Sequence, residues 1–236
     1  MKTGIFWIAT LVAAPEAWGQ GISLDLGDQG YTANLFQFVA LLTVLSLAPS
    51  LLMMVTSFTR LVVVFSFLRS ALGLQQSPPN PVLISLSLFL TLYIMSPTLE
   101  KAYDDGLKPY FNQEIKEDEA FQKTTAPFEK FMKKHTRDKD LKLFQDLKND
   151  ESPQKVISLP TLIPAFMISE LKKAFEIGFL LFIPFLIIDM VVASILMSMG
   201  MMMVPPVMIA LPFKVIFFVI VDGWHLIVES LVKGYL

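Results

Sequence analysis

One stretch of this 236-residue chain decides most of what it can become. Residues 100–158 hold thirteen acidic and twelve basic side chains, 25 of the chain's 40 Asp, Glu, Lys and Arg, so what flanks them is nearly uncharged. Residues 29–59 carry no charge, Arg60 interrupts, apolar character resumes over 61–68, and residues 70–99 are again uncharged. After the charged stretch the chain turns apolar from Leu159 to its end, broken by a handful of charges. Runs of this length and polarity are helical membrane-class segments, because a span needs ~20 apolar residues and hydrocarbon satisfies no open strand edge. The pattern predicts an all-α membrane-complex protein in which two apolar helical hairpins flank a polar, partly helical insertion.

The punctuation places the hairpin turns. Gly73-Leu74-Gln75-Gln76-Ser77-Pro78-Pro79-Asn80-Pro81 ends a helix and starts another, since proline lacks the N–H that continues one. The second pair reads as a helix from about Thr161–Pro164 to Met199, a turn over Gly200–Pro206, and a last helix from Val207 to near Leu231. Within the insertion, Phe121, Phe128, Phe131 and Met132, then Leu141, Phe144 and Leu147, have the spacing of short amphipathic helices, and Thr124-Thr125 before Pro127 is the expected start of one. The N-terminus shows one basic residue, Lys2, an apolar run Ile5–Ala14 and the small residues Ala17 and Gly19, the grammar of a secretory signal peptide cleaved after Gly19. The expected organisation is a signal peptide at 1–19, a first hairpin at 20–99, the insertion at 100–158 and a second hairpin at 159–236. Taken as simple spans, a cleaved signal and an even number of crossings put the insertion and the C-terminus outside the cytoplasm. Arg69 in the first turn agrees weakly with the positive-inside tendency.

Composition removes several functions. With no cysteine, the chain has no disulfide, zinc–thiolate or iron–sulfur site, and its two histidines, His135 and His225, lie in different segments. A net charge of −2 gives no footprint for nucleic acid. No phosphate-binding glycine loop, H-E-x-x-H or G-x-S-x-G is present, so neither catalysis nor a cofactor is expected.

Three constellations stand out. Pro164-Ala165-Phe166-Met167-Ile168-Ser169-Glu170-Leu171 is followed by Lys172, Lys173, Phe175, Glu176 and Gly178. Pro184-Phe185-Leu186-Ile187-Ile188-Asp189-Met190 comes next, then Met199-Gly200-Met201-Met202-Met203-Val204-Pro205-Pro206. With Thr56-Ser57-Phe58-Thr59-Arg60 and Leu211-Pro212-Phe213-Lys214, and in this order, they resemble the FliP family of flagellar type III export gates and its injectisome counterparts. The resemblance spans the chain after the signal peptide and is weakest in the charged stretch. It implies a channel subunit of the bacterial inner membrane and flagellar basal body. Several copies would assemble with the Q and R subunits and other export components, and unfolded proteins would be exported through the centre. It also implies that much of the assembly sits at or above the outer face of that membrane. The alternative is a multi-span carrier or channel for a small solute.

Particular residues follow. Arg60, Asp189 and Lys214 lie in apolar helices, where an unpaired charge costs at least ~2.5–3.5 kcal/mol, so each must meet a partner or water. Glu170 with Lys173, and Lys172 with Glu176, can pair within one helix turn, or all four can pair between copies. The sharper expectation joins Glu170 to Lys214 of a neighbouring copy, with Asp189 as the other candidate. Met201, Met202 and Met203, between Gly200 and Pro205-Pro206, suit a flexible apolar gasket, because methionine is unbranched and repacks readily. Simple packing and a Cu(I)-thioether site are the other readings, the latter lacking any accompanying Cys or His.

Overall fold

The computed structural model describes residues 31–147, 158–201 and 203–235. The signal-peptide residues 1–19 and Met202 lie outside the described residues. Regular structure among the described residues is entirely helical. The chain divides into two units at Pro49/Ser50.

Helix α1 (Tyr31–Met54) runs through this division, with its residues up to Pro49 in the first unit. Its Leu35, Phe36, Val39, Leu42 and Leu45 are exposed, and its polar groups turn inward on the helix. Thr43 Oγ1 donates to the Val39 carbonyl at 2.8 Å and Ser46 Oγ to that of Thr43 at 2.8 Å, the usual way a hydroxyl is satisfied on an apolar helix.

After the last turn of α1, the second unit continues with α2 (Phe58–Ala71). The break before it falls at Val55–Ser57, where the charge pattern gave no sign of one. Arg60 sits in the first turn of α2, where its charge is neutralised by a partner and need not end a helix. Leu61, Val64, Phe65, Leu68 and Ala71 recur at helical spacing and are fully buried, so α2 is the centre of the main core. A turn at Gly73, whose φ of 77° favours a residue without Cβ, leads to α3 (Asn80–Ala102). Arg69 clamps this turn, donating to Asn80 Oδ1 at 2.5 Å and the Pro78 carbonyl at 3.3 Å.

A π-helical turn, Tyr103–Leu107, and the short α4 (Lys108–Phe111) extend α3 into the charged stretch. Next comes α5 (Glu117–His135), with Glu117, Asp118 and Glu119 in its first turn and Lys133, Lys134 and His135 in its last. That arrangement matches the helix macrodipole. It also corrects the expected start at Thr124-Thr125: the acids upstream begin the helix, and Thr125 Oγ1 donates back to the Phe121 carbonyl at 3.0 Å. Helix α6 (Asp138–Leu147) follows. Met132 on α5 packs with Leu162 and Phe166 in a second core, joined by Val55 and Leu141.

Helix α7 (Leu159–Ser198) is 40 residues long; it starts two to five residues before the expected Thr161–Pro164 and ends one before the expected Met199. At 1.5 Å per residue it is about 60 Å long, twice the ~30 Å of a bilayer's hydrocarbon. Its first half carries Glu170, Lys172, Lys173 and Glu176 and packs on α5 and α6; from Ile177 onward only Asp189 is charged. Gly178 lets α2 approach closely, since a Cβ there would fall 2.4 Å from the Phe67 ring. After the methionine turn come α8 (Pro206–Ile220) and α9 (Gly223–Lys233).

The single last helix expected over 207–231 is two helices bent by 62°. Asp222 adopts a left-handed φ of 50°, which breaks the helix. Gly223 then lies against Phe218, where a Cβ would come within 2.1 Å of the ring. The hydropathy picture of four equal spans changes accordingly. Among the described residues two segments are long and apolar enough to cross a membrane, Asn80–Phe111 and Leu159–Ser198, or three if the bent pair counts as one span.

Candidate functional site: buried charges and the methionine turn

Arg60 and Glu170 meet in the interior. Arg60 Nε donates to Glu170 Oε2 at 2.8 Å and Nη2 to Oε1 at 2.5 Å, a two-pronged pair with the side chains 3% and 0% exposed. The fork of the guanidinium fits a carboxylate in this way, and the match offsets part of the desolvation both ions suffer. Tyr235, next to the C-terminus, completes the group. Its OH donates to Glu170 Oε2, and its ring lies 3.8 Å beneath the Arg60 guanidinium. Phe131 stacks with that ring, centroids 5.9 Å apart, and His135 meets it edge-on at 5.0 Å. One side chain at the chain's end thus fastens α2, α5 and α7 together.

Lys173 lies 3.9 Å from Glu170 Oε1 and donates to the His135 carbonyl at 2.8 Å. Lys172 and Glu176 pair at 3.4 Å on the exposed side of α7, where such a pair adds little. Just outside the cluster, Ser169 Oγ donates to Asp140 Oδ2 at 2.6 Å, and Arg137 holds the same carboxylate from Nε at 2.8 Å. Burial opposes ionisation of Asp140, yet these two partners outweigh it and keep its carboxyl below the usual range.

His135 faces Arg60 of α2, Lys173 of α7 and Lys134 of its own helix. Burial first, then these three cations, lower its pKa from 6.5 to about 4. The neutral imidazole is therefore the native form. Between about pH 6.5 and 4 an unfolded chain binds a proton that the folded one does not, so this contribution to stability is complete above 6.5 and lost as pH falls toward 4. Thermal unfolding of the full chain in detergent at stepped pH checks this: His135→Phe, which keeps an aromatic ring, should show a smaller loss of midpoint over that window than the parent. Equal losses in both chains would contradict it.

Lys214 and Asp189 form the second buried site. Lys214 Nζ donates to Asp189 Oδ2 at 2.6 Å and to the Ala71 carbonyl at 3.2 Å, which ties α8 to α7 and to the end of α2. The ammonium is buried, the carboxylate about one-third exposed. Asp189 Oδ1 is shielded from solvent and lacks a hydrogen-bond partner among the described residues. Within one chain, Glu170 thus pairs with Arg60 and Lys214 with Asp189, whereas the sequence expectation joined Lys214 to Glu170 of another copy. The reason is distance along α7: Glu170 and Asp189 lie 19 residues apart on the same helix, and each has its own cation beside it.

The methionine turn lies at the far end of α7. Gly200 has φ 75°, Pro205 precedes α8, and Pro206 opens it, so the backbone leaves the helix where these residues said it would. Met203 is 97% exposed and Met201 45%. Sequence reasoning missed Tyr235, Ser169 and the role of His135. Nothing in a lone aromatic two residues from the end distinguishes it from any other.

Membrane-length apolar helices, a tightly packed helical core and charge pairs buried within it define a helical membrane-complex protein. Residues 41–231 match the model of the FliP family. The chain is 54% identical over 232 residues to the flagellar biosynthetic protein FliP of Caulobacter vibrioides, covering 97% of this chain and 87% of that one. It is 54% identical over 210 residues to the FliP of Bacillus subtilis (88% of this chain, 95% of that one) and 51% over 218 residues to that of Aquifex aeolicus (91% of each). The chain belongs to the FliP family.

Proposed function

We propose that this chain is a channel subunit of the flagellar type III export gate, through which unfolded flagellar proteins cross the inner membrane. Several copies assemble with the Q and R subunits and with other export components around a central path. Residues 1–19 are removed as a signal peptide, and the charged insertion lies on the periplasmic side. Family membership supports the flagellar part of this reading. The observation that carries the channel part is the methionine turn: a side chain as apolar as Met203, almost wholly exposed in the single chain, gains stability only when something covers it. Copies arranged about an axis would bring Met201, Met202 and Met203 to one level, as an apolar closure that reshapes around a passing chain and resists ions by dewetting. Within each copy, Arg60–Glu170 and Lys214–Asp189 pre-form the subunit, and the unpartnered Asp189 Oδ1 is left for a neighbour. Lys172 and Glu176, paired with each other on the exposed side of α7, are also within reach of a neighbouring copy.

The test is solute leakage. Cells carrying Met201–Met203→Gly, with the complex confirmed as assembled, should become permeable to ions or small solutes during export. Wild-type permeability in that variant would reduce the methionines to packing residues.

A further inference from the structure

A cleft of ≈270 Å³ opens where the C-terminal end of α3 faces α5. Ile94 and Pro97 of α3, Phe131 of α5 and the Tyr235 ring give it apolar walls. Lys101 of α3 and Lys130 and Lys134 of α5 stand around it, and among the described residues no acidic side chain lines it. His135, also in the lining, is held neutral. The adjoining hollow shares Lys101 and Lys130 with the cleft and is lined also by Asp105 and by Asp104, which is turned to Lys108 at 3.8 Å.

Two features separate this from an ordinary lysine-rich surface. On the same helix, Lys123 and Lys133 are tied to Glu119 and Glu129, whereas Lys101 and Lys130 form no ion pair among the described residues. Lys134 reaches to 3.4 Å of the Tyr235 carbonyl, at the cleft's inner edge. The cleft also sits near the end of the apolar segment Asn80–Phe111, where Tyr103 and Tyr110 are exposed. Amphipathic rings at the end of an apolar helix mark a membrane–water boundary, and basic residues there gather anionic headgroups.

We propose that this cleft binds the headgroup of an anionic phospholipid. The phosphate meets Lys101, Lys130 and Lys134, and the glycerol and first acyl carbons lie on Ile94, Pro97 and Phe131. The bound lipid would hold α5 against α3 beside Tyr235, and so would steady the insertion on the membrane-length helices.

The experiment titrates the purified full chain, in mild detergent, with short-chain phosphatidylglycerol and with phosphatidylcholine of equal chain length. Binding is read as occupancy by native mass spectrometry. Lys101→Gln/Lys130→Gln keeps two exposed polar stems, and its unfolding midpoint is compared with the parent's. Lys139→Gln/Lys142→Gln removes two exposed lysines of α6 outside the cleft. The expected result is preference for phosphatidylglycerol, a roughly 30-fold weaker affinity in the first double variant, and no change in the second. Equal binding of the two lipids, or equal loss in both variants, overturns the site. Saturation by inorganic phosphate at the same concentration makes it a simple anion site and overturns the lipid assignment. Displacement of the lipid by an equimolar glutamate-rich peptide assigns the cleft to an acidic protein segment instead, and likewise overturns it.

Discussion

Glu170→Leu should destabilise the full chain by about 3–5 kcal/mol, the cost of leaving a buried charge uncompensated. Arg60 would keep only the ring of Tyr235, and its guanidinium is 3% exposed, so water cannot replace the lost carboxylate. The double variant Arg60→Met/Glu170→Leu should recover most of the loss, since two apolar side chains in that space owe no desolvation. Denaturant or thermal unfolding in mild detergent measures both. Lys172→Ala, which breaks the exposed pair with Glu176, sets the scale of a surface interaction and should cost no more than about 1 kcal/mol. A loss of that small size for Glu170→Leu would mean that the Arg60–Glu170 pair is hydrated and not part of the core.

The second large effect distinguishes two ways of placing the same charges. Lys214→Glu should set two carboxylates against each other at a site where the native contact is 2.6 Å, and should abolish stable folding and assembly together. Asp189→Lys in the same chain restores opposite signs and should restore both in part. Glu170→Lys should not, because Glu170 belongs to Arg60, and the second substitution would add a repulsion there. Assembly on native gels and unfolding of the isolated subunit are the two readouts. Rescue by Glu170→Lys and not by Asp189→Lys would return Lys214 to a contact between copies.

The placement of these charges shows where sequence reasoning reached and where it stopped. That Arg60, Asp189 and Lys214 need partners follows from the cost of a charge among apolar residues, and that cost is a property of the sequence alone. Which partner each takes depends on how α2, α7 and α8 pack, and spacing along one helix says nothing about it. Local rules read only the pairs along one helix: Lys172 with Glu176, and Lys173 near Glu170, both stand at helical spacing. The charged stretch was harder. Its helix α5 was placed to begin at Thr124-Thr125, but Glu117–Glu119 supply the favourable acidic first turn seven residues earlier.

The bend in the last apolar segment was written in the chain, as Asp222-Gly223, a turn dipeptide that hydropathy averaging conceals. The great length of α7 was legible too, because Pro164 near its start and Gly200 after its end bracket a mainly apolar run broken by only five charges. Tyr235 was not. An aromatic residue at the end of a chain carries no periodicity and no neighbour that forecasts its burial.

The amino-acid sequence by itself determined that this protein is helical, that its apolar segments flank a polar one, that its turns fall at Gly73 and Gly200, and that it belongs with the FliP family. These follow from propensities and transfer energies that act residue by residue. Only the tertiary structure decided that Arg60 meets Glu170 beneath Tyr235, that Lys214 meets Asp189, and that Gly178 seats Phe67. Those contacts join residues 25 to 175 positions apart, and which of the many sterically possible pairings forms is settled by the packing of whole helices at once.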